Sequence, residues 1–127
     1  MALPAQLCKL PGMKRIAART AFAVDRLDRD RVRVGRGPGT NCMNWHTVPT
    51  QAFQDALLRA DARDPRGVAV LVESVNLNAI WPDKYDPPRS LAVVAEQHGI
   101  TASWASHLRL RAWHRVWFAL IDLGVLR

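Results

Sequence analysis

Along most of the chain the apolar positions fall at helical spacing. Ile16, Thr20, Ala23, Val24 and Leu27 recur every three or four residues, which predicts a first helix over 13–31 with arginine on its other face. Within it, Asp25, Asp28 and Asp30 alternate with Arg26, Arg29 and Arg31, the pattern of a solvated surface that pairs its own charges. Glycine and proline then crowd the stretch Val34-Gly35-Arg36-Gly37-Pro38-Gly39-Thr40-Asn41 and predict a loop. A second helix is expected over about 49–62, capped by Thr47 or Thr50, with Phe53, Leu57 and Ala60 on its buried stripe. Asp64-Pro65 stops that helix and starts the next, with Asp64 as N-cap and Pro65 in the first helical position. Val68, Leu71, Val72, Val75 and Ala79 share one face of this third helix, although the β-branched run Val68–Val72 also suits a strand. Trp81-Pro82 closes the element, and Asp86-Pro87-Pro88 makes a rigid extended link.

The densest local signal begins at Ser90. This serine can cap a helix that places Leu91, Val94 and Ala95 on one face. Gly99 supplies the positive φ that a helix C-terminus favours, Ile100 fills the corner, and Thr101 caps a final helix from about Ala102 to Leu123. A helix-turn-helix needs a small residue where its helices cross, a glycine four positions later, and apolar residues inside the second helix. Ala95, Gly99, Ile100, Ala105 and Leu108 meet those needs. The pattern as a whole predicts an all-α, single-domain bundle of about five helices with a C-terminal helix-turn-helix and a long final helix. Residues 1–12 form a tail, 13–46 a basic arm and loop, 47–85 a helical support, and 86–127 the helix-turn-helix.

Charge changes the picture by pointing to a partner. Eighteen Lys and Arg stand against eleven Asp and Glu, for a net charge of +7, and most of the cations are arginine. Guanidinium groups suit phosphate and base edges, so a polyanion is the first candidate partner; arginine-favouring codons are the alternative source of this composition. The distribution favours the partner. Nine cations and three acids lie between Lys9 and Arg36, and the segment from Gly67 to Ile100 is slightly acidic. The end from Thr101 to Arg127 carries four Arg and one Asp. No apolar run approaches the roughly 18 residues that span a bilayer, and Met1–Lys14 lacks a secretory pattern, so a cytoplasmic protein without membrane contact is expected. Cys8 and Cys42 make no disulfide framework and are expected as free thiols.

The stretch 90–117, with its Ser90-Leu91 opening, Val94-Ala95, Gly99-Ile100-Thr101 and Ala112 in a long second helix, resembles region 4 of bacterial sigma factors. It is also similar to the C-terminal part of small bacteriophage antitermination proteins and late-gene activators. The resemblance implies a regulator of transcription in a bacterial or phage-infected cell, bound to double-stranded DNA and to RNA polymerase. A homodimer would enlarge the footprint of a single helix-turn-helix. The second helix would enter the major groove, with Ser103, Ser106, His107 and Arg109 at base edges. Thr101, Arg111 and Arg115 would hold phosphates together with Lys14, Arg15, Arg19 and Arg36 of the basic arm. A solvated helix face is the plainer role for Arg109, Arg111 and Arg115.

Trp104, Trp113, Trp117 and Phe118 admit three roles: core stripe, protein interface with Trp113 and Trp117 as anchors, or stacking on unpaired bases. Cys42 and His46 fall short of a metal site, no nucleophile–base set is complete, and the Gly35–Gly39 stretch lacks the ending of a phosphate loop. Neither a catalytic residue, a metal nor a cofactor is expected. Two competing classes remain: a protein-binding inhibitor or adaptor using the Trp-rich final helix, and a nucleic-acid-binding protein without sequence preference, such as a packaging or nuclease accessory.

Overall fold

The structure, a computed structural model, describes residues 21–37 and 43–126. It overturns the all-helical expectation, because the described residues form three strands and four α-helices, a mixed α/β fold. Strands β1 (Ala21–Arg26), β2 (Arg31–Gly37) and β3 (Asn44–Pro49) make an antiparallel sheet in the order β1-β2-β3. Helices α1 (Thr50–Arg63), α2 (Pro65–Ser74), α3 (Leu91–Gln97) and α4 (Ala102–Asp122) follow, with a 3-10 turn at Leu77–Ala79 between α2 and α3.

The helix expected over 13–31 is where sequence and structure part. Residues 13–20 lie outside the described residues, and the rest is β1, a turn and the first residue of β2. The true period is two. Phe22 and Val24, then Val32 and Val34, then Val48 point to one face, while Asp25 and Arg33 point to the other and pair at 2.8 Å. Val24 lies opposite Val34, and Val32 opposite Val48, so the valines meet across the sheet. The turn between β1 and β2 is closed by Asp28, whose carboxylate accepts the N–H groups of Asp30 and Arg31, each at 2.9 Å. The acid–arginine alternation therefore belongs to a hairpin. Val34–Gly37, expected as loop, completes β2, and residues 38–42 lie outside the described residues.

The inner face of the sheet packs on α1 and α4. Val24, Val32, Val34 and Val48 share one core with Phe53, Leu71, Leu77, Trp113, Val116 and Leu120. Phe22 stacks on Trp113 at a centroid distance of 4.9 Å, and Phe53 meets the same indole edge-on at 6.2 Å. Helix α1 starts where expected, but neither threonine caps it; Thr47 lies in β3, and Pro49 occupies the N-cap without a side-chain hydrogen bond. Residues 68–72 are helix, which closes the strand alternative. That helix ends at Ser74, short of Ala79.

Asp64 caps α2 as expected by accepting the Gly67 N–H at 3.1 Å. A Cβ on Gly67 would sit 2.2 Å from Asp64 Oδ2, so only glycine admits the carboxylate this close. Among the described residues, no helix is long and apolar enough to cross a membrane.

Candidate nucleic-acid interface

Helices α3 and α4 are joined by the four residues His98–Thr101, and each signal at this junction is in place. Ser90 Oγ accepts the Val93 N–H at 3.3 Å, and Thr101 Oγ1 accepts the Trp104 N–H at 3.0 Å. Gly99 has φ +68°, the left-handed conformation that lets the Ile100 N–H turn back to the Ala95 carbonyl at 3.0 Å. Val94, Ala95, Ala105 and Leu108 then form a second small core with Val70 of α2, flanked by Leu91 and Ile100. Glu73, at the end of α2, ties both ends of α3: it accepts from the Arg89 guanidinium, and its Oε2 lies 2.7 Å from His98 Nε2. Arg89 also donates to Gln97. The helix pair is therefore fixed on α2 by packing on one side and by a charged network on the other.

Ser103, Ser106 and His107 are exposed on the first two turns of α4, and Thr101 beside them is exposed too. Trp104, one of the four aromatics of the final helix, is 44% exposed and stacks on His107 with centroids 5.2 Å apart. Trp113 and Trp117 are only 1% and 4% exposed, so of the three roles open to them the structure shows the core stripe, and the interface role is corrected. The physical reason is the unforeseen sheet. Phe22 covers Trp113, while Trp117 meets the edge of His46 at 5.6 Å and the Arg36 guanidinium at 4.8 Å from its ring centre.

Among the described residues, the cations assigned to DNA are engaged within the molecule. Arg109 is half-buried, with its guanidinium 5.4 Å over the Phe22 ring. Arg111 donates through Nε and Nη2 to the two oxygens of Asp64, each at 2.9 Å. That fork is the main reason the Asp64 carboxyl is held below its ordinary value, helped by the Gly67 N–H and opposed by burial. Arg115 approaches the same carboxylate at 3.9 Å. Arg36 reaches His114 Nδ1 at 3.3 Å, and burial together with this guanidinium draws the His114 imidazole below its ordinary value. Lys14, Arg15 and Arg19 lie outside the described residues, as do Cys8 and Cys42.

One basic feature escaped the sequence reading. Arg59 and Arg63 of α1 face Arg115 and Phe118 of α4 across a groove of about 560 Å3, with Asp122 at its rim. The i, i+4 spacing of Arg59 and Arg63 was the available signal. Among the described residues, no three His, Cys, Asp or Glu gather as metal ligands would. Comparison of the chain with protein-family models, with curated proteins and with solved structures gave no match.

Proposed function

We propose that the chain is a DNA-binding regulator of transcription that places the start of α4 in the major groove, as the resemblance to sigma region 4 implies. The observation that carries this reading is the capped α3–turn–α4 unit, fixed on α2, with Ser103, Ser106 and His107 left exposed on the leading turns of α4. In this reading those three residues meet base edges, and Thr101 lies near the phosphate backbone. Arg109 is not among the base readers, because its guanidinium is drawn onto Phe22. With Arg111 bound to Asp64, sequence-independent affinity falls mainly to Lys14, Arg15 and Arg19. RNA polymerase is the protein partner, a homodimer supplies a second half-site, and the setting is the bacterial cytoplasm.

The adaptor reading keeps the exposed Trp104 and Phe118 in place of the buried Trp113 and Trp117. The two readings separate on the salt dependence of duplex binding. Arg15→Ala with Arg19→Ala should weaken binding to every duplex and lower the slope of log K against log salt by about 2, near 0.9 per lost phosphate contact. Ser106→Ala with His107→Ala should leave that slope unchanged and remove discrimination between duplexes. An adaptor would bind no duplex even at low salt, and neither pair of substitutions would alter its partner's duplex preference.

A further inference from the structure

Arg109 presents a physical anomaly. Its Nε is buried without a hydrogen-bond partner, and among the described residues no carboxylate forms an ion pair with it. Burial alone draws its pKa down, without an opposing acid, yet a guanidinium stays protonated at any ordinary pH. A desolvated cation without a counter-charge is unfavourable, and folds normally pair it or bring it an anion. Asp25, the acid that lines the same cleft, already serves Arg33 at 2.8 Å.

The side chain does not face a closed wall. It lines an open cleft of about 460 Å3 between the edge strand β1 and the segment that follows α2. That size is within the range of small-ligand sites, roughly 300–1,000 Å3. Phe22, Val75 and Pro88 supply apolar walls, and Asn76 adds an amide that can donate or accept. One half-buried guanidinium, one amide and apolar walls match an anionic head on an apolar body. A planar carboxylate fits the guanidinium fork better than any other common anion except phosphate. A single unpaired cation beside Asp25 matches one negative charge better than the two of a phosphomonoester.

We propose that this cleft binds a monocarboxylate with an apolar body, its carboxylate paired with Arg109 and its body against Phe22, Val75 and Pro88. The carboxylate is that of a free organic acid or of a peptide C-terminus; the chemistry at Arg109 is the same. None of Ser103, Ser106 and His107 lines this cleft, so the proposal does not depend on the nucleic-acid reading.

The test uses the full chain, labelled with 15N, with the Nε–H signal of Arg109 followed by NMR. Benzoate is titrated against its neutral isostere benzamide. An acetylated tetrapeptide ending in phenylalanine is titrated as the free acid and as the C-terminal amide. Benzoate should shift the Arg109 signal saturably while benzamide leaves it in place. Arg109→Gln, shown to be folded by circular dichroism, should weaken benzoate by about tenfold or more, the scale of a lost charge-assisted hydrogen bond. Binding of the peptide acid more tightly than benzoate, with the amide inert, assigns the site to a chain terminus; the reverse order assigns it to a free acid. Equal shifts from benzoate and benzamide, or no saturable shift from any carboxylate, overturn the proposal. The wild-type contrast decides the matter even if Arg109→Gln does not fold.

Discussion

Asp64 shows how one residue joins local and long-range structure. Its carboxylate caps α2 at Gly67 and holds Arg111, 47 positions away, in a two-point fork while only 5% exposed. The cap was legible in Asp64-Pro65, because capping needs only neighbours in sequence. The fork was not, because it depends on how α4 crosses the α1–α2 corner. Asp64→Ala should lower unfolding free energy by about 2 kcal/mol, combining a lost cap with a lost ion pair whose arginine stays hydrated, as measured by urea denaturation. Its folded pKa lies below the ordinary 3.8, so its contribution is present above that pH and is lost as pH falls further. His114 acts earlier on the pH scale. Its folded pKa is lowered, so the unfolded chain takes up the proton first. Stability should therefore fall as pH drops from about 7 through the unfolded value near 6.5, and level off below the folded value. His114→Gln should flatten that part of the profile; an unchanged slope in denaturation midpoints across this window would contradict the assignment.

At the scale of elements, the helices were readable and the strands were not. Ser90, Gly99 and Thr101 mark their positions through capping chemistry that acts within three or four residues, and α3 and α4 begin where those signals place them. In β1 the apolar set Ala23, Val24 and Leu27 satisfies a helical period as well as Phe22 and Val24 satisfy a period of two. Only the Asp28 turn and pairing with β2 decide between them. That error carried into the candidate site. Without β1 there was no reason to expect Phe22 over Trp113 or beneath Arg109, so an interface role stayed open for two tryptophans of the core stripe, and a half-buried arginine read as a base reader. Gly99→Ala should cost about 1 kcal/mol, because alanine strains at φ +68°, even though no atom lies within 4 Å of the added methyl. A thermal melt checks this, and an unaffected melting temperature would mean that the turn relaxes to a different geometry.

For the whole molecule, the lesson concerns charge. The sequence concentrates a net +6 between Lys9 and Arg36, yet Arg31 and Arg33 pair with Asp28 and Asp25, and Arg36 lies on Trp117. Lys9, Lys14, Arg15 and Arg19 account for four of those six charges, and the hairpin 21–37, with five arginines against three aspartates, for only two. The start of α4 is exposed, with Ser103, Ser106 and His107 in view and Arg109 turned inward. The proposed function therefore divides the labour: polar readout would come from α4, and phosphate affinity mainly from Lys14, Arg15 and Arg19.

The most direct measurement is selection of bound duplexes from a randomised DNA pool at near-physiological salt, followed by sequencing, run in parallel on the wild type and on the Ser106→Ala, His107→Ala double variant. A regulator that reads bases through α4 should enrich a short motif, repeated symmetrically if two copies bind, and the double variant should lose it while still recovering DNA. An unenriched pool, or a motif that survives the double substitution, would contradict base readout by the start of α4.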